Sequence, residues 1–249
     1  REHEARGRVH RKIAWCHSSS LPAGGGCDDQ KERNLFILPQ TRLVDNPMIG
    51  YHGSMGNTQL GKLVLIIGPS GVGKSVVLHH LRQLHPEMVF PRSATTRERR
   101  KGEGSDLYHF VTEEEFDALV ERGGVLEWAV VHGGARYGTL REEIIPAIEE
   151  GKTVVREVDV QGFDSIRNHA FFRGQDAPYL LQSVFILPES TDQLVERIRN
   201  RAPIDADELA RRIASMEQEL TYADLCDHRI VNRQGALEQT IAQVEAAIK

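Results

Sequence analysis

The sequence predicts an α/β fold, a parallel sheet flanked by helices on both faces. Three observations carry that expectation. From about Leu60 to the C-terminus, short apolar runs alternate with helical patterns. The first run, Leu63-Val64-Leu65-Ile66-Ile67, leads straight into Gly68-Pro69-Ser70-Gly71-Val72-Gly73-Lys74-Ser75, a glycine-rich loop between strand and helix. Two C-terminal segments each carry one apolar stripe at helical spacing, as a helix covering a sheet requires. In such folds ligands collect at the carboxyl ends of the strands.

Taken in order, strands are expected at 62–67, 153–158, 183–187 and 228–231, each a short apolar run. Helices are expected at 74–84, 113–122, 139–150, 190–200, 206–220 and 235–248. The first helix puts Val77, Leu78, Leu81 and Leu84 on one side. Ser190 with Gln193 forms a capping box that opens the fourth. Leu209, Ile213, Met216 and Leu220 share a face of the fifth, and Leu237, Ile241, Val244 and Ile248 a face of the sixth. Such stripes read as core-facing, with no chemistry assigned to them.

Gly68–Ser75 satisfies G-x-x-x-x-G-K-[ST] in full. Glycines let the backbone curl so that several N–H groups face one anion, and the following helix adds its positive N-terminal end. Lys74 is then the cation for the β- and γ-phosphates of a nucleoside triphosphate, and the Ser75 hydroxyl the ligand for Mg²⁺.

Composition bounds the partners. The chain has 249 residues, 40% hydrophobic and 27% charged, with a formal net charge of −5. That balance gives no reason to expect nucleic acid or an anionic membrane as partner. No apolar run approaches the roughly eighteen residues of a membrane span. Cys16, Cys27 and Cys226 are too few for a disulfide framework, which fits a reducing cytoplasm. Cys16, His17 and Cys27 lack the fourth ligand and paired spacing of a zinc site. Residues 1–59, with Ser18-Ser19-Ser20, Gly24-Gly25-Gly26 and little periodicity, read as a disordered extension. Glu2, Glu4 and the lack of a long apolar core argue against a targeting peptide there.

A phosphate loop serves many classes of protein, so the acceptor must be read elsewhere. Ser93-Ala94-Thr95-Thr96-Arg97-Glu98-Arg99-Arg100-Lys101 gathers three arginines and a lysine in nine positions. Tyr108-His109-Phe110, Leu126-Glu127-Trp128, Tyr137-Gly138-Thr139 and Glu157-Val158-Asp159-Val160-Gln161-Gly162 follow. This is a second anion site with aromatic hydroxyls and a placed carboxylate, arginine being suited to bidentate phosphate recognition.

In this order the motifs resemble those of guanylate kinases, over the chain from about residue 61 onward. The resemblance implies a P-loop nucleoside monophosphate kinase fold with a GMP-binding subdomain and a lid. It implies transfer of a phosphoryl group from ATP, as co-substrate, to GMP, with Mg²⁺, in a cytoplasmic monomer or homodimer. The domain is expected at 60–249, with its core at 60–95, 156–195 and 213–249, the GMP-binding segment at 96–155 and the lid at 196–212. Gly68 to Ser75 and Val76 are expected at ATP. Ser93, Arg97, Arg100, Tyr108, Glu127, Tyr137, Gly138, Thr139 and Asp159 are expected at GMP. Arg97, Arg100, Tyr108 and Tyr137 would hold its phosphate, Glu127 would accept from guanine N1–H and the 2-amino group, and Ser93 and Thr139 would bond the O6 side. Lys74, Asp159 and the lid arginines Arg201 and Arg212 are expected to be catalytic, with Ser75 and Asp159 at Mg²⁺, Asp159 directly or through water.

The sequence departs from the family pattern in places. Leu107 stands where Asp commonly precedes the Tyr, and Glu157 where Asp is usual, pointing to the same side of its strand as Asp159. The loop from Glu127 to Tyr137 is one residue longer, Arg201 is followed by Ala202-Pro203, and Asn232 by Arg233. Three rivals stand beside this reading. A sugar-phosphate kinase has no need of Glu127 with Thr139. A non-catalytic binding module typically has a degraded phosphate loop. A GTPase-like switch needs a guanine-reading element of the Asn-Lys-x-Asp type, which this chain lacks.

Overall fold

Leu63, Val64, Leu65, Ile66 and Ile67 are all fully buried, so this strand is covered on both faces, as its unbroken apolar run requires. In this computed structural model residues 59–130, 134–201 and 205–249 are described. The extension expected at 1–59, with Cys16 and Cys27, lies outside the described residues apart from Gln59.

In chain order the elements are β1 (Lys62–Ile67), α1 (Lys74–Leu84), β2 (Ser93–Thr95), β3 (Tyr108–Phe110), α2 (Glu113–Glu121), β4 (Val125–Val130), β5 (Arg136–Leu140), α3 (Arg141–Glu149), β6 (Thr153–Glu157), α4 (Val160–Arg167), β7 (Leu180–Pro188), α5 (Thr191–Arg201), α6 (Ala206–Leu220), β8 (His228–Asn232) and α7 (Leu237–Ile248). The expected parallel sheet is present, in the order β6-β1-β7-β8. A single bridge from Val89 to Val154 extends its edge.

Strand alternation divides the core. Val64, Ile66, Val155, Val184 and Ile186 face one side and meet Val77 and Leu81 of α1, Met216 of α6, and Ile241, Val244 and Ile248 of α7. Leu63, Leu65, Ile67, Val154 and Phe185 face the other and meet Ile144, Ile145 and Ile148 of α3 with Phe163 and Ile166 of α4. Each fully buried aliphatic side chain contributes about 1.5–3 kcal/mol. The expected stripes of α6 and α7 thus lie against the sheet. Leu84, placed by periodicity on the inner side of α1, is instead 57% exposed, at the last residue of the helix.

A second sheet was not expected. Its order is β3-β2-β5-β4, with β2 parallel to β3 and antiparallel to β5, and β4 antiparallel to β5. Two of its strands have only three residues, too few for a period-two signal. Thr139 and Leu140, expected in a helix, end β5, and α3 begins at Arg141. The back of this sheet is closed by Phe116 and Leu119 of α2, with Phe116 edge-on to Trp128 at 6.0 Å. Helix α2 opens on a full capping box, the Thr112 side chain accepting from Glu115 N and Glu115 from Thr112 N, worth about 1 kcal/mol. At α5 only half the expected box forms. Ser190 Oγ accepts from Gln193 N, while the Gln193 amide donates to Gln234.

Among the described residues no helix is long and apolar enough to cross a membrane. Burial pushes the Cys226 thiol up to about 11, which leaves it unreactive at neutral pH.

Candidate active site

The phosphate loop joins the carboxyl end of β1 to α1. Gly73 caps α1 with a left-handed backbone (φ 107°) and no side-chain acceptor, and the first turn holds no acid. The helix therefore presents its positive end unmodified. A Cβ at Gly73 would lie 2.6 Å from Asn232 Nδ2. That amide, at the end of β8, donates to Val72 O (2.8 Å), and its own oxygen accepts from Thr240 Oγ1 (3.1 Å). A buried side-chain pair thus fixes the loop from the far strand.

Lys74 Nζ donates to Gly68 O (2.6 Å) and Pro69 O (3.2 Å) and lies 3.8 Å from Glu157 Oε1. Burial pulls its pKa below the ordinary lysine value, opposed by Glu157, Glu219 and Asp159. Ser75 Oγ donates to Glu157 Oε2 at 2.9 Å.

The carboxylate brought to Ser75 is therefore that of Glu157. Strand β6 ends at Glu157, so alternation does not carry on to Asp159, as the sequence had suggested. Asp159 instead caps α4 and accepts from Gly162 N at 2.7 Å. Its charge faces Glu127 and Lys74. A Cβ at Gly162 would press on Val158 Cβ at 3.2 Å and Asp159 Oδ1 at 3.3 Å, and would touch Glu127 Cδ at 3.6 Å.

The second sheet lines up the acceptor residues. Tyr108 pairs with Ser93, Ser93 with Thr139, and Thr139 with Glu127, one row across four strands. Two positions along each strand, Phe110, Thr95 and Tyr137 form the next row on the same face. Gly138 belongs to the opposite face, where a Cβ would meet Phe116 Cζ at 3.0 Å. It can reach a ligand through its backbone alone. Thr139 Oγ1 donates to Glu127 Oε1. Burial raises the Glu127 pKa, opposed by the charge of Arg156 and the Thr139 hydrogen bond. Glu127 is a carboxylate in a nearly closed pocket, its side chain only 11% exposed.

At the open end of the rows, Arg97 Nε donates to Tyr137 Oη (3.0 Å). Its two terminal nitrogens fork onto Glu103 at 3.0 and 2.6 Å. The guanidinium lies over the rings of Tyr108 and Phe110, 5.4 Å from each centroid. Burial raises the Tyr108 pKa, so its hydroxyl stays protonated and able to donate. Arg97, Tyr108 and Tyr137 thus converge, whereas Arg100 is exposed, with its backbone N–H on Glu103. In the expected lid, Arg212 Nε donates to Glu208 of its own helix at 2.9 Å. The Arg201 side chain, Ala202 and Pro203 lie outside the described residues.

Residues 60–249 match the protein-family model described as Guanylate kinase. This chain belongs to the guanylate kinase family. A guanylate kinase of Thermosynechococcus vestitus is 41% identical over 191 residues, spanning 76% of this chain and 94% of its own length. One from Nocardia farcinica is also 41% identical, over 75% of this chain and 94% of its own. The crystal structure of guanylate kinase from Anaplasma phagocytophilum aligns with TM-score 0.57 at 26% identity, over 77% of this chain and 86% of that one.

Within this guanylate kinase domain, four site residues escaped the sequence reading in whole or part. Glu157 was noticed but left without a contact, and Asn232 was noted only for its neighbour. Glu103 and Arg156 were not singled out. An arginine amid the valines of a core strand was the one signal available for Arg156.

Proposed function

We propose that the chain transfers the γ-phosphoryl group of ATP to the phosphate of GMP, giving ADP and GDP. The observation that carries this reading is the row Tyr108–Ser93–Thr139–Glu127, which ends on a buried carboxylate and shares a domain with an intact phosphate loop. Guanine offers two adjacent donors on one edge, N1–H and the 2-amino group, and a carboxylate accepts both in parallel. Adenine lacks that pair and would leave a buried charge unsatisfied. Hydrogen-bonding sites of this kind reject analogues by about 10⁴–10⁵.

In the transfer, a GMP phosphate oxygen bonds to the γ-phosphorus while the bond to the bridging β,γ-oxygen breaks, and ADP leaves. The acceptor is already an anion, so no general base is required. The task of the protein is to bring two polyanions together. Lys74 and the loop N–H groups would bind the ATP phosphates. Arg97, Tyr108 and Tyr137, with Arg100, would hold the GMP phosphate. Arg201 and Arg212 would approach when the lid, 196–212, closes over 96–155 and excludes water.

The residues fit a magnesium ion. Ser75 Oγ and Glu157 Oε2 are hard oxygen donors 2.9 Å apart. No cluster of three acidic, His or Cys ligands occurs among the described residues. That sparse set suits an ion that keeps most of its water and shares substrate phosphates. Bound there, Mg²⁺ would neutralise charge on the β- and γ-phosphates. Asp159, held on the α4 backbone beside Glu127, would act at the base side.

The test is ADP formation from ATP with Mg²⁺ and GMP, AMP, UMP, CMP or ribose bisphosphate as separate acceptors. Turnover with GMP alone is expected. Turnover only with the sugar phosphate would overturn the reading.

A further inference from the structure

Arg156 is out of place in its strand. Its neighbours Val154, Val155 and Val158 are buried aliphatics, and it pairs with Leu65 of the fully buried strand β1. Yet its side chain is only 9% exposed. A guanidinium is basic enough to stay charged in a protein, although burial here pulls its pKa below the ordinary arginine value, opposed first by Glu127. Such a charge is costly unless partners meet it.

The partners are two residues of the acceptor row. Arg156 Nη2 donates to Ser93 Oγ at 3.1 Å and stands 3.8 Å from Glu127 Oε1. Its Nε is buried with no hydrogen-bond partner among the described residues. Alternation along β6 turns Arg156 toward this row and the adjacent Glu157 toward the phosphate loop.

We propose that Arg156 is a specificity-determining positioning residue, which orients Ser93 and holds Glu127 as an anion so that the pocket selects a 6-oxo-2-amino purine. The inference rests on the GMP reading given above. The argument for Ser93 is one of donors and acceptors. With a lone pair of Ser93 Oγ occupied by the Arg156 N–H, the hydroxyl proton turns away from the arginine and is free for a carbonyl oxygen such as O6. The argument for Glu127 is one of charge. Thr139 gives it a hydrogen bond from β5, and Asp159 at the start of α4 adds a like charge that opposes ionisation. Arg156 from β6 is the opposing cation. The other groups around the guanidinium are Tyr108, Glu157 and Glu143, none of which supplies a cation to Glu127. An ionised Glu127 accepts from both N1–H and the 2-amino group. A protonated one has lost part of that acceptor capacity.

The experiment compares wild type, Arg156→Leu and Arg156→Lys. It measures GMP and IMP affinity by calorimetry, and KM and kcat for each from pH 6 to 9. IMP lacks the 2-amino group. Arg156→Leu should fold, because leucine suits a strand of valines, and thermal melting checks this. Its GMP affinity should weaken at least tenfold at neutral pH and recover as pH rises, the acid limb moving up by about one to three pH units. Its preference for GMP over IMP should shrink, with KM for ATP unchanged. Arg156→Lys keeps the charge and should hold the limb near its wild-type position.

Equal loss for GMP and IMP at every pH, without movement of the limb, would make Arg156 a structural bridge and overturn the proposal. So would a folded Arg156→Leu protein with wild-type GMP affinity and pH profile. Wild-type protein that binds ATP but not GMP would overturn the functional reading itself, a result seen before any variant is compared.

Discussion

Ser75 and Glu157 are 82 residues apart in sequence, yet the serine hydroxyl donates to the Glu157 carboxylate across 2.9 Å. The first residues of α1 and the last residue of β6 thereby form one oxygen-lined site at the phosphate loop. Replacing Glu157 by Ala should raise the Mg²⁺ concentration for half-maximal rate by about 10- to 100-fold. Asp159→Asn should leave that concentration in place, because its carboxylate is committed to the α4 cap. A Mg²⁺ titration of the rate checks both. The opposite pattern would return the metal site to Asp159.

On the proposed reading Glu127→Ala would remove two charge-assisted hydrogen bonds to guanine, each worth about 1.5–3 kcal/mol, so kcat/KM for GMP should fall about 10²- to 10⁴-fold. KM for ATP should not move, since Glu127 lies on the acceptor sheet and not on the phosphate loop. Steady-state kinetics with each nucleotide varied in turn tells base recognition from damage to the fold, which would affect both.

Asn232→Ala leaves Val72 O without its side-chain donor in a buried setting, and Thr240 Oγ1 with only Ala236 O as acceptor. The expected cost is about 1–3 kcal/mol of stability, read by urea unfolding. KM for ATP should rise, because the loop is no longer pinned. Adding Thr240→Val should cost less than its single effect, since the two residues share one network.

Glu103 should titrate near pH 2, against an ordinary value of 4.5, because Arg97 donates two hydrogen bonds to it and the Arg100 N–H a third. A depressed carboxylate contributes stability that is fully present above its unfolded value and lost as pH falls through the folded one. The Arg97 clamp should thus be intact above about 4.5 and lost as pH falls through about 2. NMR titration of the carboxyl carbons reads this directly. The midpoint should return toward 4.5 in Arg97→Met.

The core sheet was legible in the sequence wherever neighbours along the chain carry the signal. Leu63 to Ile67 announces a doubly covered strand, and Met216 or Val244 a helix face, through spacing alone. The acceptor sheet was not. Ser93–Thr95 and Tyr108–Phe110 are too short for a pattern, and half their side chains face a polar pocket instead of a core. Resemblance to a family named the residues expected at GMP, but not the arrangement that joins them.

Alone, the sequence determined the phosphate loop, the α/β class and the apolar stripes, because each is set by residues within a few positions of one another. Tertiary structure decided that Tyr108, Ser93, Thr139 and Glu127 share a row, that Glu157 and not Asp159 meets Ser75, and that Asn232 reaches Val72 across 160 residues. It also set the Arg156 charge beside Glu127. These are matters of register between strands, and of which face a side chain takes where a strand ends. Both are fixed only when distant segments pack, since a shift of one residue sends every side chain to the other face.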